Sequence, residues 1–127
     1  MTRTIVHTEH APAAIGTYSQ AVRVGDTVYI SGQIPLDPAT QSLVSGDVEA
    51  QVRRVFANLA AIAAAAGGSL ADAVRMTVFL TDLGNFPVVN KVMAEFCREP
   101  YPSRATVGVA SLPRGVAVEI DCILALR

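Results

Sequence analysis

The chain has 127 residues, of which 51% are hydrophobic, and its mean hydropathy is +0.40. Ten basic and eleven acidic residues leave a formal net charge of -1 without a run of one sign, which excludes an electrostatic footprint for nucleic-acid phosphates. No apolar stretch reaches the roughly 18 residues of a membrane span, and the N-terminus lacks a signal-peptide core, so we expect one cytoplasmic domain over residues 1–127.

The first predicted element in chain order is a strand. Residues 27–35, TVYISGQIP, are rich in β-branched and aromatic side chains, and Ser31 and Gly32 are expected to end the strand. Residues 36–47 are rich in turn-forming residues and are expected to form a connector.

The next element is predicted to be a helix. Residues 48–66 place apolar side chains three and four positions apart, which is the spacing of one helix face. Asp47 precedes this segment as a candidate N-cap, and Gly67-Gly68 follows it as a stop signal.

The second half of the chain predicts three strands and one helix. Residues 74–81 alternate in polarity with the period of a strand, and Asn85 is expected to cap a helix that has a proline in its first turn. Residues 104–110 and 116–126 are predicted to be the two last strands, separated by SLPRG.

This order of elements favours an α+β fold, with a single mixed β-sheet and two helices packed on one of its faces. The other face must then be polar or covered by a neighbouring subunit. The last strand carries Ala117, Ile123 and Ala125 beside Glu119 and Asp121 on this second side. Such a mixture, together with the high apolar content, favours an oligomer with polar sites embedded in a subunit interface.

Side-chain alternation places Arg104 and Thr106 on one face of their strand and Glu119 on the less apolar face of the next. If the two strands formed a hairpin about a four-residue loop, position 106 would lie opposite 119 and position 104 opposite 121. A loop of three or five residues would separate these side chains, because a one-residue slip reverses every side chain. The spacing alone does not decide whether these residues form a structural ion pair between neighbouring strands or a binding site.

Common catalytic arrangements do not fit the sequence. The histidines, His7 and His10, lie in the N-terminal segment, and G-x-S-x-G, G-x-G-x-x-G and Walker motifs are absent. Cys97 and Cys122 lie in apolar surroundings without C-x-x-C spacing, which indicates buried thiols. We therefore expect no metal and no cofactor, and a reaction that uses ordinary polar groups and water.

Residues 102–120, PSRATVGVASLPRGVAVEI, resemble the C-terminal signature of the reactive intermediate deaminase family, RidA type, also described as YjgF or L-PSP proteins. APAAIGTYSQAV and ISGQIPLDP resemble the N-terminal blocks of this family, and TVFLTDLGNFPVVN resembles its middle block. The resemblance implies a chorismate-mutase-like fold and a homotrimer with clefts between subunits. It also implies cofactor-independent hydrolysis of 2-imino acids, such as 2-iminobutanoate and 2-iminopropanoate, to 2-oxo acids and ammonia.

The resemblance further implies roles for individual residues. Arg104 would bind the substrate carboxylate, Glu119 would orient or activate water, and Thr106 would line the site where many relatives have cysteine. The guanidinium suits its role because it is always charged and donates two parallel hydrogen bonds to a carboxylate. Further cleft positions of the family match Tyr18, Ser31, Gly32 and Asn90. Thr17 is a departure, since relatives commonly have proline there.

Two alternatives stay open beside hydrolysis. A non-catalytic trimer that binds 2-oxo acids or regulatory partners through the same cleft would use Arg104 for binding alone. An endoribonuclease or translation-inhibitor activity, attributed to some relatives, is disfavoured by the near-neutral charge and the lack of a basic stripe.

Overall fold

The computed structural model describes residues 2–127, over which the chain forms eight strands and two α-helices. The strands are β1 (Arg3–Val6), β2 (Ala21–Val24), β3 (Thr27–Gln33), β4 (Leu36–Asp37), β5 (Ser42–Leu43), β6 (Ala73–Leu80), β7 (Ser103–Gly108) and β8 (Val118–Ala125). The helices are α1 (Val48–Ala65) and α2 (Phe86–Phe96), and short 3₁₀ turns lie at Leu70–Asp72, Leu83–Asn85 and Pro113–Gly115. Within this described part, no helix combines the length and the apolar character needed to cross a membrane.

Six strands form one sheet in the order β1-β2-β3-β8-β6-β7. Over residues 2–127, the β6–β7 pair is the only parallel one, and α2 makes the crossover that a parallel pair requires. The predicted mixed sheet with two helices is therefore confirmed. β4 and β5 form a separate two-stranded hairpin inside the segment that was expected to be a connector.

Both helices cover the same face of the sheet. The carboxylate of Asp47 accepts a hydrogen bond from the Ala50 backbone N–H at 2.9 Å, which confirms the predicted N-cap of α1. The helix ends before Gly67, whose φ of +94° is the left-handed conformation that glycine tolerates. The rings of Phe56 and Phe96 stack at 5.5 Å between centroids and join the two helices.

The core lies between the helices and alternate side chains of β8 and β6. Val118, Ile120, Cys122 and Leu124 are buried as the alternation predicted. Both cysteines are buried and free, as expected.

The predicted side-chain cap at Asn85 is wrong. Asn85 precedes α2, and Pro87 lies in the first turn, but the Asn85 side chain makes no capping hydrogen bond. A 3₁₀ turn already leads into the helix there: the Asp82 carboxylate accepts from the Gly84 backbone N–H, and the Asn85 N–H donates to the Asp82 carbonyl. The Phe86 N–H, the first backbone donor of α2, is also bonded, because it donates to the Leu83 carbonyl.

The two last strands do not form the hairpin that was considered for them, because β6 lies between β7 and β8. Val78 of β6 is aligned with Thr106 on one side and with Ile120 on the other. The Val109 N–H donates to the Leu80 carbonyl and the Thr81 N–H donates to the Ala117 carbonyl. The loop between β7 and β8 thus crosses the end of β6 instead of making a tight turn.

The face of the sheet opposite the helices carries a row of largely apolar side chains. The register aligns Ile5, Val22, Tyr29, Ile123 and Arg75 across five strands. Ile5 is 55% and Tyr29 is 51% exposed. We call this surface the open face.

Candidate functional site

Of the seven residues predicted to form a site, all except Thr106 lie in two separate hollows. The first, which we call the Glu119 cleft, has a volume of about 600 Å³ and includes Tyr18, Ser31, Gly32 and Glu119 in its lining. The second, the Arg104 groove, has a volume of about 440 Å³ and is lined by Asn90, Met93, Ala94, Tyr101, Pro102 and Arg104. The two share no lining residue.

The strand register explains the separation. Arg104 is aligned with Met76, which is fully buried beneath the helices. Glu119 is aligned with Phe79. The side chain of Phe79 points to the open face, because its neighbours Val78 and Leu80 on β6 are buried beneath the helices. Because side chains alternate along a strand, Arg104 and Glu119 of one chain lie on opposite sides of the sheet. A hairpin of the two last strands would have placed Arg104 and Glu119 on one shared surface, and this arrangement does not occur within one chain.

Helix α2 positions Arg104. Arg104 Nη1 donates a hydrogen bond of 2.7 Å to Oδ1 of Asn90 on this helix and lies 3.5 Å from Met93 Sδ. The guanidinium carbon lies 4.9 Å from the centre of the Phe86 ring, within the range of a cation–π interaction. Among residues 2–127, no carboxylate forms a salt bridge with this guanidinium. The remaining donors are therefore available to an external carboxylate.

Thr106 follows on the same side of β7. Its hydroxyl is buried and has no hydrogen-bond partner among the described residues. A buried polar atom of this kind costs stability and calls for a structural or functional reason.

Glu119 lies against Gly32 in the Glu119 cleft. The register between β3 and β8 shifts between Ile30 and Gln33, and this irregularity brings the Gly32 backbone close to the Glu119 side chain. Burial raises the pKa of the Glu119 carboxyl above its ordinary value, and the nearby charge of Asp121 adds to the rise. A raised pKa makes a carboxylate a stronger base, which favours its use in proton transfer.

The polar groups around Glu119 are held by local hydrogen bonds. The Ser31 hydroxyl donates to the Ser19 carbonyl at 2.6 Å, and the Tyr18 hydroxyl accepts from the Ile15 backbone N–H at 3.3 Å. The phenolic proton of Tyr18 remains free to donate, and its side chain is 53% exposed.

Two buried amides that the sequence interpretation missed hold the walls of the Glu119 cleft. Gln20 binds the N-terminal segment: its Nε2 donates to the carbonyls of Thr8, Ala11 and Pro12, and its Oε1 accepts from the Thr8 N–H. Asn58 of α1 donates to the carbonyls of Ile34 and Leu36. Nothing in the local sequence marked these amides, because their partners are distant along the chain.

Phe86, Met93 and Arg114 were also missed as site residues. The sequence pattern indicated only that Phe86 and Met93 belong to a helix and that Arg114 belongs to the loop between the two last strands. Asn90 was expected near Arg104 only through the family resemblance. Among residues 2–127, no three histidine, cysteine or acidic side chains lie close enough to hold a metal ion.

Comparison with known proteins gives consistent matches. The family model described as Endoribonuclease L-PSP matches residues 8–126. Protein DfrA of Myxococcus xanthus is 54% identical over 97% of this chain and 95% of its own length. The 2-iminobutanoate/2-iminopropanoate deaminase of Dermatophagoides farinae is 42% identical over 97% of this chain and 96% of its own. The crystal structure of RidA from the Antarctic bacterium Psychrobacter sp. PAMC 21119 matches with a TM-score of 0.93 and 54% identity, covering 97% of this chain and 99% of that one.

Proposed function

The chain belongs to the reactive intermediate deaminase (RidA, L-PSP) family, and from that premise we propose that it hydrolyses 2-imino acids to 2-oxo acids and ammonia. The substrates we propose are small imines such as 2-iminobutanoate and 2-iminopropanoate. The proposed reaction is independent of a cofactor, and the proposed working form is a cytoplasmic homotrimer.

The observation that carries the proposal is the pair of complementary half-sites on opposite sides of the sheet. Arg104 is positioned by Asn90 and Phe86 but has no carboxylate partner within the described residues. Glu119 is half-buried in a separate cleft, and this burial raises the pKa of its carboxyl. A second copy of the chain could bring its Arg104 groove against the Glu119 cleft of the first, which would complete a site for a carboxylate next to an imine.

The open face supports assembly. Its exposed apolar row, with Ile5 and Tyr29 more than half exposed, would be covered by a neighbour. A contact that joins the groove of one copy to the cleft of the next uses two different patches, and repeated contacts of this kind form a ring when the rotation between neighbouring copies closes. The family resemblance supports a ring of three.

In the proposed mechanism, Arg104 binds the substrate carboxylate and places the imine carbon near Glu119. The ionised Glu119 accepts a proton from water as the water oxygen bonds to this carbon, and the C=N double bond becomes a single bond. With a protonated imine as the substrate, Glu119 then returns this proton to the amino nitrogen. As the C–N bond breaks and ammonia leaves, the hydroxyl oxygen forms the 2-oxo group and its proton passes to Glu119 and then to solvent. Positioned proton transfer of this type contributes roughly 10² to 10⁴ in rate.

The proposal divides the work between the two residues. Glu119 acts on the reacting atoms, whereas Arg104 chiefly orients the substrate. Tyr18, Ser31 and Gly32 would line the substrate space from one subunit, and Asn90 and Thr106 would support or line it from the other. Glu119→Gln should then lower kcat more than it raises KM, and the opposite pattern would contradict this division.

The decisive test is release of ammonia or 2-oxobutanoate from enzymatically generated 2-iminobutanoate. We expect the wild-type protein to accelerate release and Arg104→Ala to lose most of the effect. Arg98→Gln is a matched control, because it removes a positive charge from a groove that shares no residue with either half-site. Equal rates for wild type and Arg104→Ala, or no acceleration over buffer, would reject the function.

Two further measurements, of 2-oxobutanoate binding and of RNA cleavage, separate the alternatives. A trimer that only binds 2-oxo acids would retain affinity for 2-oxobutanoate but would show no turnover. The description of the matching family model keeps an endoribonuclease activity as a second candidate. Cleavage of RNA that survives Arg104→Ala, without imine hydrolysis, would favour that candidate.

A further inference from the structure

Arg114 is a second arginine in the Glu119 cleft, and its backbone has an unusual conformation. Its φ and ψ are 58° and 19°, and the following Gly115 has a φ of +70°. Residues other than glycine are uncommon in this left-handed region, and such strain is concentrated at ligand sites. Pro113 precedes it and restricts the turn further. The loop therefore holds Arg114 at the cleft at an energetic cost.

The guanidinium of Arg114 has few partners. Among residues 2–127, its hydrogen bonding consists of one long contact of 3.4 Å from Nη1 to the Gln41 carbonyl, and it forms no salt bridge. By contrast, Arg53 on the helical surface pairs with both Glu49 and Glu95. Arg114 thus keeps four of the five donors of its guanidinium available.

Gln41 connects Arg114 to Ala13, a second residue that lines the cleft. Its own φ is +59°, its Nε2 donates to the Pro38 carbonyl at 2.8 Å, and its Oε1 accepts from the Ala13 N–H at 3.1 Å. Three segments that are distant in sequence therefore meet at one glutamine. This connection limits where the Arg114 loop can move and keeps the guanidinium beside the cleft.

We propose that Arg114 binds a second substrate carboxylate, so that the cleft favours 2-imino acids with an acidic side chain over their neutral counterparts. The inference rests on the proposed function and specifies its substrate class. A protonated imino dicarboxylate carries a negative, a positive and a second negative charge along its length. In an assembled site these charges would meet Arg104, Glu119 and Arg114, respectively. A monocarboxylic imine would leave Arg114 without a partner.

The first test measures binding and does not require turnover. Isothermal titration calorimetry would compare 2-oxoglutarate with 2-oxopentanoate, which has the same chain length but lacks the second carboxylate. We expect wild type to bind 2-oxoglutarate about tenfold more tightly, the size of one hydrogen-bonded charge pair, and Arg114→Gln to lose this preference while its affinity for 2-oxopentanoate stays unchanged. Arg114→Lys should restore part of the preference, and Arg98→Gln should leave it intact.

The outcomes separate the two proposals. An equal preference in wild type and Arg114→Gln would overturn the Arg114 site, and so would a loss of affinity for both ligands in a variant with wild-type thermal stability. If Arg114→Gln fails to fold, Arg114→Asn replaces it, because asparagine tolerates the left-handed region. A preference for 2-oxoglutarate that depends on Arg114, in a protein that hydrolyses no imine, would support the site and reject the proposed function.

Discussion

Gly32 and Glu119 lie so close together that a Cβ added to Gly32 would overlap Glu119 Oε2 and lie 3.0 Å from Cδ. Because Gly32 on β3 has no side chain, the Glu119 carboxylate on β8 can occupy the space beside it. Gly32 is needed at this site for space and not for its backbone angles, since its φ is not among the positive values found in this chain.

Gly32→Ala should displace the Glu119 carboxylate and lower kcat by about 10- to 100-fold, because a small misplacement of a catalytic group has an effect of this size. The folded state should tolerate the change, since the displaced atoms are the end of a flexible side chain. Steady-state kinetics and thermal unfolding would measure both. Gly84→Ala is the control, because its added Cβ meets the Asp82 carboxylate outside both half-sites. A variant with full kcat would show that the position of Glu119 is unimportant.

Glu119→Gln should stabilise the fold near neutral pH. Burial raises the pKa of Glu119 in the folded state, and the charge of Asp121 makes a smaller contribution to the rise. At pH values between the unfolded-state pKa and the folded-state pKa, the folded protein therefore binds more protons than the unfolded protein. The contribution of Glu119 to the stability of the wild type should therefore be greatest below the unfolded pKa of about 4.3 and decrease as pH rises through the folded pKa. The glutamine variant lacks this titration. Urea unfolding of both proteins from pH 3 to pH 8 should show an advantage of the variant that grows with pH, and a constant or reversed difference would contradict the raised pKa.

Mixing two inactive variants should restore activity if the half-sites come from different subunits. Arg104→Ala and Glu119→Gln would be unfolded together and refolded in equal amounts. Random assembly leaves about a quarter of the intersubunit sites with both residues intact. Imine hydrolysis by the mixture should approach this fraction of the wild-type rate, whereas each variant refolded alone stays inactive. No recovery in a mixture that forms mixed oligomers would place both residues of the working site in one chain.

Asn90→Ala should raise KM by about fivefold with a smaller effect on kcat, because it removes the charged hydrogen bond that orients the Arg104 guanidinium. Phe86 would still hold the guanidinium over its ring, so binding should be weakened and not abolished. Asn90→Asp is the informative partner variant: a carboxylate there would pair with Arg104 and compete with the substrate. A KM for Asn90→Asp equal to that of wild type would show that Arg104 does not bind substrate.

Thr106→Val should raise the free energy of unfolding by about 1 kcal/mol, because it replaces a buried hydroxyl that has no partner with a methyl group of similar size. Thr106→Ser, which keeps the hydroxyl and loses the methyl group, should be less stable than wild type. Urea unfolding would measure both variants, and imine hydrolysis would show whether the hydroxyl serves the substrate. Destabilisation by Thr106→Val would mean that the hydroxyl is hydrogen-bonded in the assembled protein.

Elements with a strong local period were predictable from the sequence. The apolar spacing of α1, its Asp47 cap and its glycine stop are all encoded within about one helical turn of where they act. The buried face of β8 followed in the same way from alternation. β1 and β2 were missed because each has only four residues, which is too short to show a clear period.

The arrangement of these elements required the tertiary structure. Local patterns in the sequence were sufficient to predict the types of the main elements and the faces of β7 and β8, and the resemblance was sufficient to predict the family. Only the folded chain decided that β6 separates β7 from β8, and hence that Arg104 and Glu119 lie on opposite sides of the sheet. The alternation of side chains between the two faces is a local property of each strand, so it can be recognised in the sequence. Strand order instead depends on long-range pairing, because β6 needs hydrogen-bond partners on both edges and must bury its apolar side chains beneath the helices.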